Sequence, residues 1–140
     1  MKTIFKIGLA AIIAVSTILF SCGKYEEGPK ISLASKKSRI VNTWKRTKYI
    51  YNEIEQNISA YSVVIDIKKD NSYTFTMTGG MNPANTAGTW KFSSDKESLI
   101  RTETNSTTPT TETILRLTSD ELWVKEVKGS DINEYHYAPN

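Results

Sequence analysis

The sequence predicts an all-β domain: an antiparallel up-and-down meander of eight strands, closed into a barrel and preceded by a short helical turn. Three observations carry this expectation. From Thr43 onward apolar and polar residues alternate with a period of two, as in strands with one buried face. Turn-forming clusters interrupt the alternation at short intervals, among them Lys69-Asp70-Asn71-Ser72, Ser93-Ser94-Asp95-Lys96 and Gly129-Ser130-Asp131. The gaps are too short for the crossovers that parallel strands require. Eight strands suffice to close a small barrel and so remove the exposed edges of a Thr-rich sheet. An open curved sheet or a β-sandwich satisfies the same alternation.

Taken in order, residues 35–41 read as one or two helical turns with Ser35 as N-cap. The turn is too short to stand alone and must pack on the domain. Strand-like runs follow at 43–51 and at 60–68, where Tyr61, Val63, Ile65 and Ile67 share a face. The cleanest run is 73–78, with Tyr73, Phe75 and Met77 on one face and three threonines on the other. Residues 79–83 form a loop, and 88–92 resumes with Trp90 and Phe92 on one face. Runs at 97–104, 111–117, 121–127 and 132–137 complete the set.

Ahead of this domain, two lysines and no acid precede an apolar stretch over residues 7–20. That layout matches a secretory signal peptide, and the stretch is short for a permanent span of a ~30 Å hydrocarbon core. It ends in Leu19-Phe20-Ser21-Cys22, which resembles a bacterial lipobox, although Phe20 is bulkier than the usual occupant. The resemblance implies cleavage after Ser21 and acylation of Cys22, an anchor that is stable once two or three chains insert. Gly23 in place of Asp implies the outer membrane under the sorting rule of many Gram-negative bacteria. Lys24-Tyr25-Glu26-Glu27 is similar to short charged tethers of surface lipoproteins. The expected organisation is therefore a signal peptide at 1–21, a lipidated cysteine and flexible tether at 22–37, and the barrel at 38–140.

Composition narrows the function. Removing residues 1–21 from 140 leaves 119 residues, in which 16 lysines and arginines face 15 acids. This is one domain's worth of chain, without the basic footprint of a nucleic-acid binder. Cys22 is the sole cysteine, so an intramolecular disulfide is impossible and packing alone must hold the core.

Little in the sequence points to chemistry. His136 is the only histidine, which disfavours zinc or copper sites of the N/S type. No Gly-x-Ser-x-Gly elbow, calcium loop or phosphate loop is present. His136 reads as a partly exposed strand residue between Tyr135 and Tyr137. The carboxylates Asp66, Glu97, Glu103, Glu112, Glu121 and Glu126 read as solvated strand faces. No catalytic residue, metal or cofactor is expected. The aromatics read either as a filled core or as the wall of a short cavity with Tyr73, Phe75, Met77, Trp90 and Phe92. Arg46 or Arg116, pointing inward, would meet a ligand carboxylate, because a buried arginine without a partner is costly.

Asn42-Thr43-Trp44 resembles the Gly-x-Trp start of lipocalin-like domains, with Asn42 replacing the glycine. Asp70-Asn71-Ser72-Tyr73-Thr74-Phe75 followed by Gly88-Thr89-Trp90-Lys91-Phe92 is similar to the hairpin of small bacterial lipocalin-like lipoproteins. The resemblance spans residues 38–138. It implies a calyx in which Trp44 plugs the closed end and Tyr73, Phe75, Met77, Trp90, Phe92 and Arg116 meet a ligand. The expected function is non-catalytic binding of a small apolar or amphipathic molecule by a membrane-anchored lipoprotein. The alternative is an adaptor with a filled barrel that engages an envelope protein or glycan.

Overall fold

A computed structural model describes residues 35–140; the expected signal peptide, Cys22 and most of the expected tether lie outside the described residues. Helix α1 (Lys36–Ile40) is capped by Ser35, whose hydroxyl accepts from the Ser38 amide at 3.0 Å. The strands are β1 (Asn42–Tyr51), β2 (Ile54–Glu55), β3 (Tyr61–Ile67), β4 (Ser72–Gly79) and β5 (Ala84–Phe92). They continue as β6 (Ser98–Glu103), β7 (Thr110–Leu117), β8 (Leu122–Lys128) and β9 (Asp131–Pro139). All pairings are antiparallel; consecutive strands pair except that β1 pairs with β3 past β2, and β1 also pairs with β9. That last ladder closes the sheet. The expected eight-stranded up-and-down barrel is present, formed by β1 and β3 to β9.

Two details differ from the sequence reading. β5 begins at Ala84, four residues before Gly88, because Ala84 to Thr89 continue the ladder with β4. β2 is a two-residue extension that folds back on the end of β1, pairing Tyr51 with Ile54 through a turn in which Asn52 and Glu53 have positive φ.

The barrel has a packed end and an open end. Trp44, Ile67, Trp90, Leu99, Leu117 and Leu122 gather where α1 covers the strand ends, each 3% exposed or less. Trp44 is fully buried and its indole Nε1 donates to the Ile40 carbonyl at 2.8 Å. The plug therefore also fixes the end of α1. Arg39 reaches across from α1 to the Leu117 carbonyl at 2.9 Å. At the opposite end the β1–β3, β4–β5, β6–β7 and β8–β9 connections surround the mouth.

Turn chemistry and one close approach set the wall. Asn71 and Lys96 take positive φ in the turns after β3 and β5, and Asp70 accepts from the Ser72 amide and hydroxyl. Gly88 has a different role. A Cβ there would lie 2.0 Å from the Thr102 carbonyl oxygen, so β5 and β6 approach as they do only with hydrogen at this position.

Two bulges reset the alternation. In β1 the register shifts between Arg46 and Lys48, in β7 between Ile114 and Arg116. Each inserts one residue and reverses which side chains face inward downstream. In β1 the inward set changes from Trp44 and Arg46 to Tyr49. In β7 it changes from Glu112 and Ile114 to Leu117.

Candidate functional site

Above the packed end, the barrel is hollow. A cavity of about 350 Å³ opens at the mouth, within the range of small-molecule sites. Tyr73 and Phe75 of β4 form its deeper aromatic wall, with Ala84 and Thr86 of β5 beside them. Arg46, Arg101, Glu112 and Glu126 bring charge inside, and Glu103, Thr110 and Lys128 stand nearer the rim. Tyr135 of β9 faces them.

Strand alternation explains why charged residues are inside. Leu99 and Arg101 share the inner face of β6, Glu112 and Ile114 that of β7, and Val124 and Glu126 that of β8. Glu112 is 1% exposed and Glu126 6%, which corrects their assignment to solvated faces. Burial of these groups is tolerated because each acid has a partner. Arg101 grips Glu112 with both forks, Nε to Oε2 at 3.0 Å and Nη2 to Oε1 at 2.7 Å. Its guanidinium also lies over the Tyr73 ring, 5.3 Å from the centroid. Burial works against the Arg101 charge, but Glu112 outweighs it and holds the pKa above the ordinary arginine value. Glu126 pairs with Lys128 at 3.0 Å.

Arg46 is different. It enters from β1 just before the bulge and sits among Tyr49, Tyr135 and Tyr137, closest to the Tyr135 ring at 4.3 Å. Among the described residues its one hydrogen bond runs from Nη2 to the Tyr137 hydroxyl at 3.1 Å, and its Nε is buried without a partner there. Among the described residues no carboxylate lies within ion-pair distance of it. Burial opposes its charge, and the surrounding phenols of Tyr137, Tyr135 and Tyr61 raise its pKa nonetheless. Burial also pushes the Tyr137 and Tyr135 hydroxyls above the usual phenol range, against the pull of the Arg46 charge. Tyr49 stacks on Tyr135 with centroids 5.2 Å apart and donates to Asn133 at 2.8 Å, so the ring cluster is held from behind.

The expected ligand contacts divide. Tyr73 and Phe75 line the cavity. Trp90 and Phe92 belong to the packed end, edge to face with centroids 5.6 Å apart, and Trp90 Nε1 donates to the Lys68 carbonyl at 2.9 Å. Met77 follows Tyr73 and Phe75 on the same face of β4 but does not reach the cavity lining. Arg116 is the clear correction. The β7 bulge turns it to the outer face, where its Nε donates to Glu121 at 2.6 Å and its guanidinium covers Trp123. Of the two arginines that the sequence nominated, Arg46 alone enters the barrel.

His136 is also on the outer face. Its ring stacks flat on Trp123 at 4.1 Å, and Nε2 lies 2.6 Å from a Glu134 oxygen. No hydroxyl or thiol is bonded to the imidazole among the described residues, and no group of three or more His, Cys, Asp or Glu residues there is placed to hold a metal ion.

Arg101, Glu112, Glu126 and Tyr135 were missed as site residues. Their signal is phase: Arg101 and Glu126 follow Leu99 and Val124, and Glu112 and Tyr135 precede Ile114 and Tyr137, each two positions away on an inward face. No protein-family model matches the chain, and a search of curated proteins finds no matching relative.

Proposed function

We propose that this chain is a lipid-anchored outer-membrane protein whose lipocalin-like barrel binds a small amphipathic molecule without transforming it. The observation that carries the reading is the hollow upper barrel of about 350 Å³, lined by both aromatic and charged side chains. A barrel serving only as a scaffold gains stability by filling that space. Between the two ligand types expected from the sequence, the charged lining favours the amphipathic one. The lipobox-like Leu19-Phe20-Ser21-Cys22 supports the anchor, and α1, where the tether arrives, lies at the packed end of the barrel. In this arrangement the mouth is the end away from the anchor.

Native mass spectrometry of the full-length chain, purified from the envelope of its own host, tests this reading. A co-purifying mass released on unfolding and absent from a folded Phe75→Ala variant supports it. A bare chain that also fails to take up small amphipathic probes overturns it.

The adaptor reading is favoured by a different observation. Ile54, Met81, Val127 and Ile132 are large apolar residues left exposed near the mouth, from 39% for Ile132 to 96% for Met81. Such residues contribute to docking when they form a contiguous patch. Cross-linking from Met81 to one envelope protein, with no ligand in the barrel, would favour that reading.

A further inference from the structure

We propose that the cavity selects a small monocarboxylate, received by the Arg46 guanidinium and the Tyr135 hydroxyl. This rests on the barrel being a binding cavity, and it names the chemistry that the cavity recognises.

The charges on the wall do not cancel locally. Arg101 is satisfied by Glu112 and Lys128 by Glu126, at 2.7 and 3.0 Å. Among the described residues Arg46 has only the neutral Tyr137 hydroxyl and the faces of tyrosine rings. Cation–π contact offsets part of the cost of burying a guanidinium, and a paired anion offsets more. The Tyr135 hydroxyl has no hydrogen-bond partner among the described residues, and its residue lines the same cavity. Burial holds it protonated and therefore a donor. A guanidinium and a phenol, both lacking an anion, make a receptor for a planar carboxylate.

The other acids set the charge of the guest. Glu103, Glu112 and Glu126 line the same space, so a dianion such as a phosphate monoester meets three carboxylates for its one free guanidinium. A monoanion is better matched. Tyr73, Phe75 and Ala84 leave an apolar stretch of wall for the remainder of the molecule. At about 30 Å³ per water-sized unit, a cavity of about 350 Å³ takes a guest of roughly ten to twelve non-hydrogen atoms.

The test is isothermal titration calorimetry of the full-length chain in lipid nanodiscs, with empty discs subtracted. The probes are octanoate, octanamide and octyl phosphate, with cinnamate and cinnamamide as an aromatic pair. The expected result is binding of a carboxylate about tenfold or more tighter than its amide. Arg46→Gln is expected to erase that preference, Arg46→Lys to keep part of it, and Tyr135→Phe to weaken it. Should Arg46→Gln fail to fold, the wild-type protein still decides: carboxylate binding is lost as the probe is protonated at acid pH, while amide binding is not. Equal affinity for acid and amide, or preference for the phosphate, overturns the inference and leaves the cavity reading standing. Binding of none of the probes overturns the inference, and a co-purifying mass would then separately keep the cavity reading alive.

Discussion

Arg101 and Glu112 are joined by two parallel hydrogen bonds inside the barrel, from one strand to the next, with side chains 13% and 2% exposed. The pair closes one side of the cavity and keeps a buried acid from facing the empty space alone. Removing either partner leaves an uncompensated charge, at a cost of about 3–5 kcal/mol. Arg101→Met or Glu112→Leu alone is therefore expected to lower stability strongly. The double replacement is expected to recover most of the loss. Denaturant unfolding of the two single variants and the double variant measures this; additive losses would contradict the pairing.

Trp44 joins α1 to the barrel floor through its buried ring and its bond to Ile40. Trp44→Ala is expected to cost about 3–5 kcal/mol. Trp44→Phe, which keeps most of the volume but abandons the Ile40 carbonyl, is expected to cost about 1–3 kcal/mol. A Trp44→Phe protein as stable as wild type in thermal or denaturant melts would mean that the indole N–H contributes nothing.

Gly88 is a point of close backbone approach in the wall. Gly88→Ala is expected to force β5 from β6 and destabilise the barrel by at least about 1–3 kcal/mol, because the clash is with backbone and not with a movable side chain. A melt unchanged from wild type would show that the wall yields there.

Alkaline pH separates the buried tyrosines from the rest. Tyr135 and Tyr137 have raised pKa values through burial, against an ordinary value of 10.0. Protons are thus held more tightly in the folded state, so stability is fully present below about pH 10 and falls as pH rises above it. Tyrosinate absorbance is expected to show a fraction that titrates only on unfolding, reduced in Tyr137→Phe. Titration of all tyrosines in the folded protein near their ordinary value would contradict this.

Lipidation at Cys22 is expected to give incorporation of labelled palmitate and membrane fractionation, both lost in Cys22→Ala. Incorporation that survives Cys22→Ala would remove the anchor from the account.

The fold was legible because alternation and turn residues report on strands directly. Tyr61 to Ile67 and Tyr73 to Thr78 needed nothing else, and Ser35 caps α1 as its residue type suggests. The site was legible only in part. Alternation counts positions, and a bulge adds one without a glycine or proline to announce it. The extra residue in β7 is why Arg116 faces outward while Glu112 faces inward. Phase alone would have put Glu112 and Glu126 inside, but they read as solvated because that is the commoner fate of a strand acid. What makes burial affordable for Glu112 is Arg101, eleven residues earlier, and sequence does not show that two such residues converge.

The central claim is that the upper barrel is a binding cavity, and Thr86→Trp tests it most directly. Thr86 lines the cavity and is remote from the packed end, so an indole there is expected to fill the space while the barrel stays folded. Loss of the co-purifying mass and of octanoate binding, with far-ultraviolet circular dichroism unchanged, is the predicted result. Undiminished binding in a folded Thr86→Trp protein would place the ligand elsewhere and contradict the account.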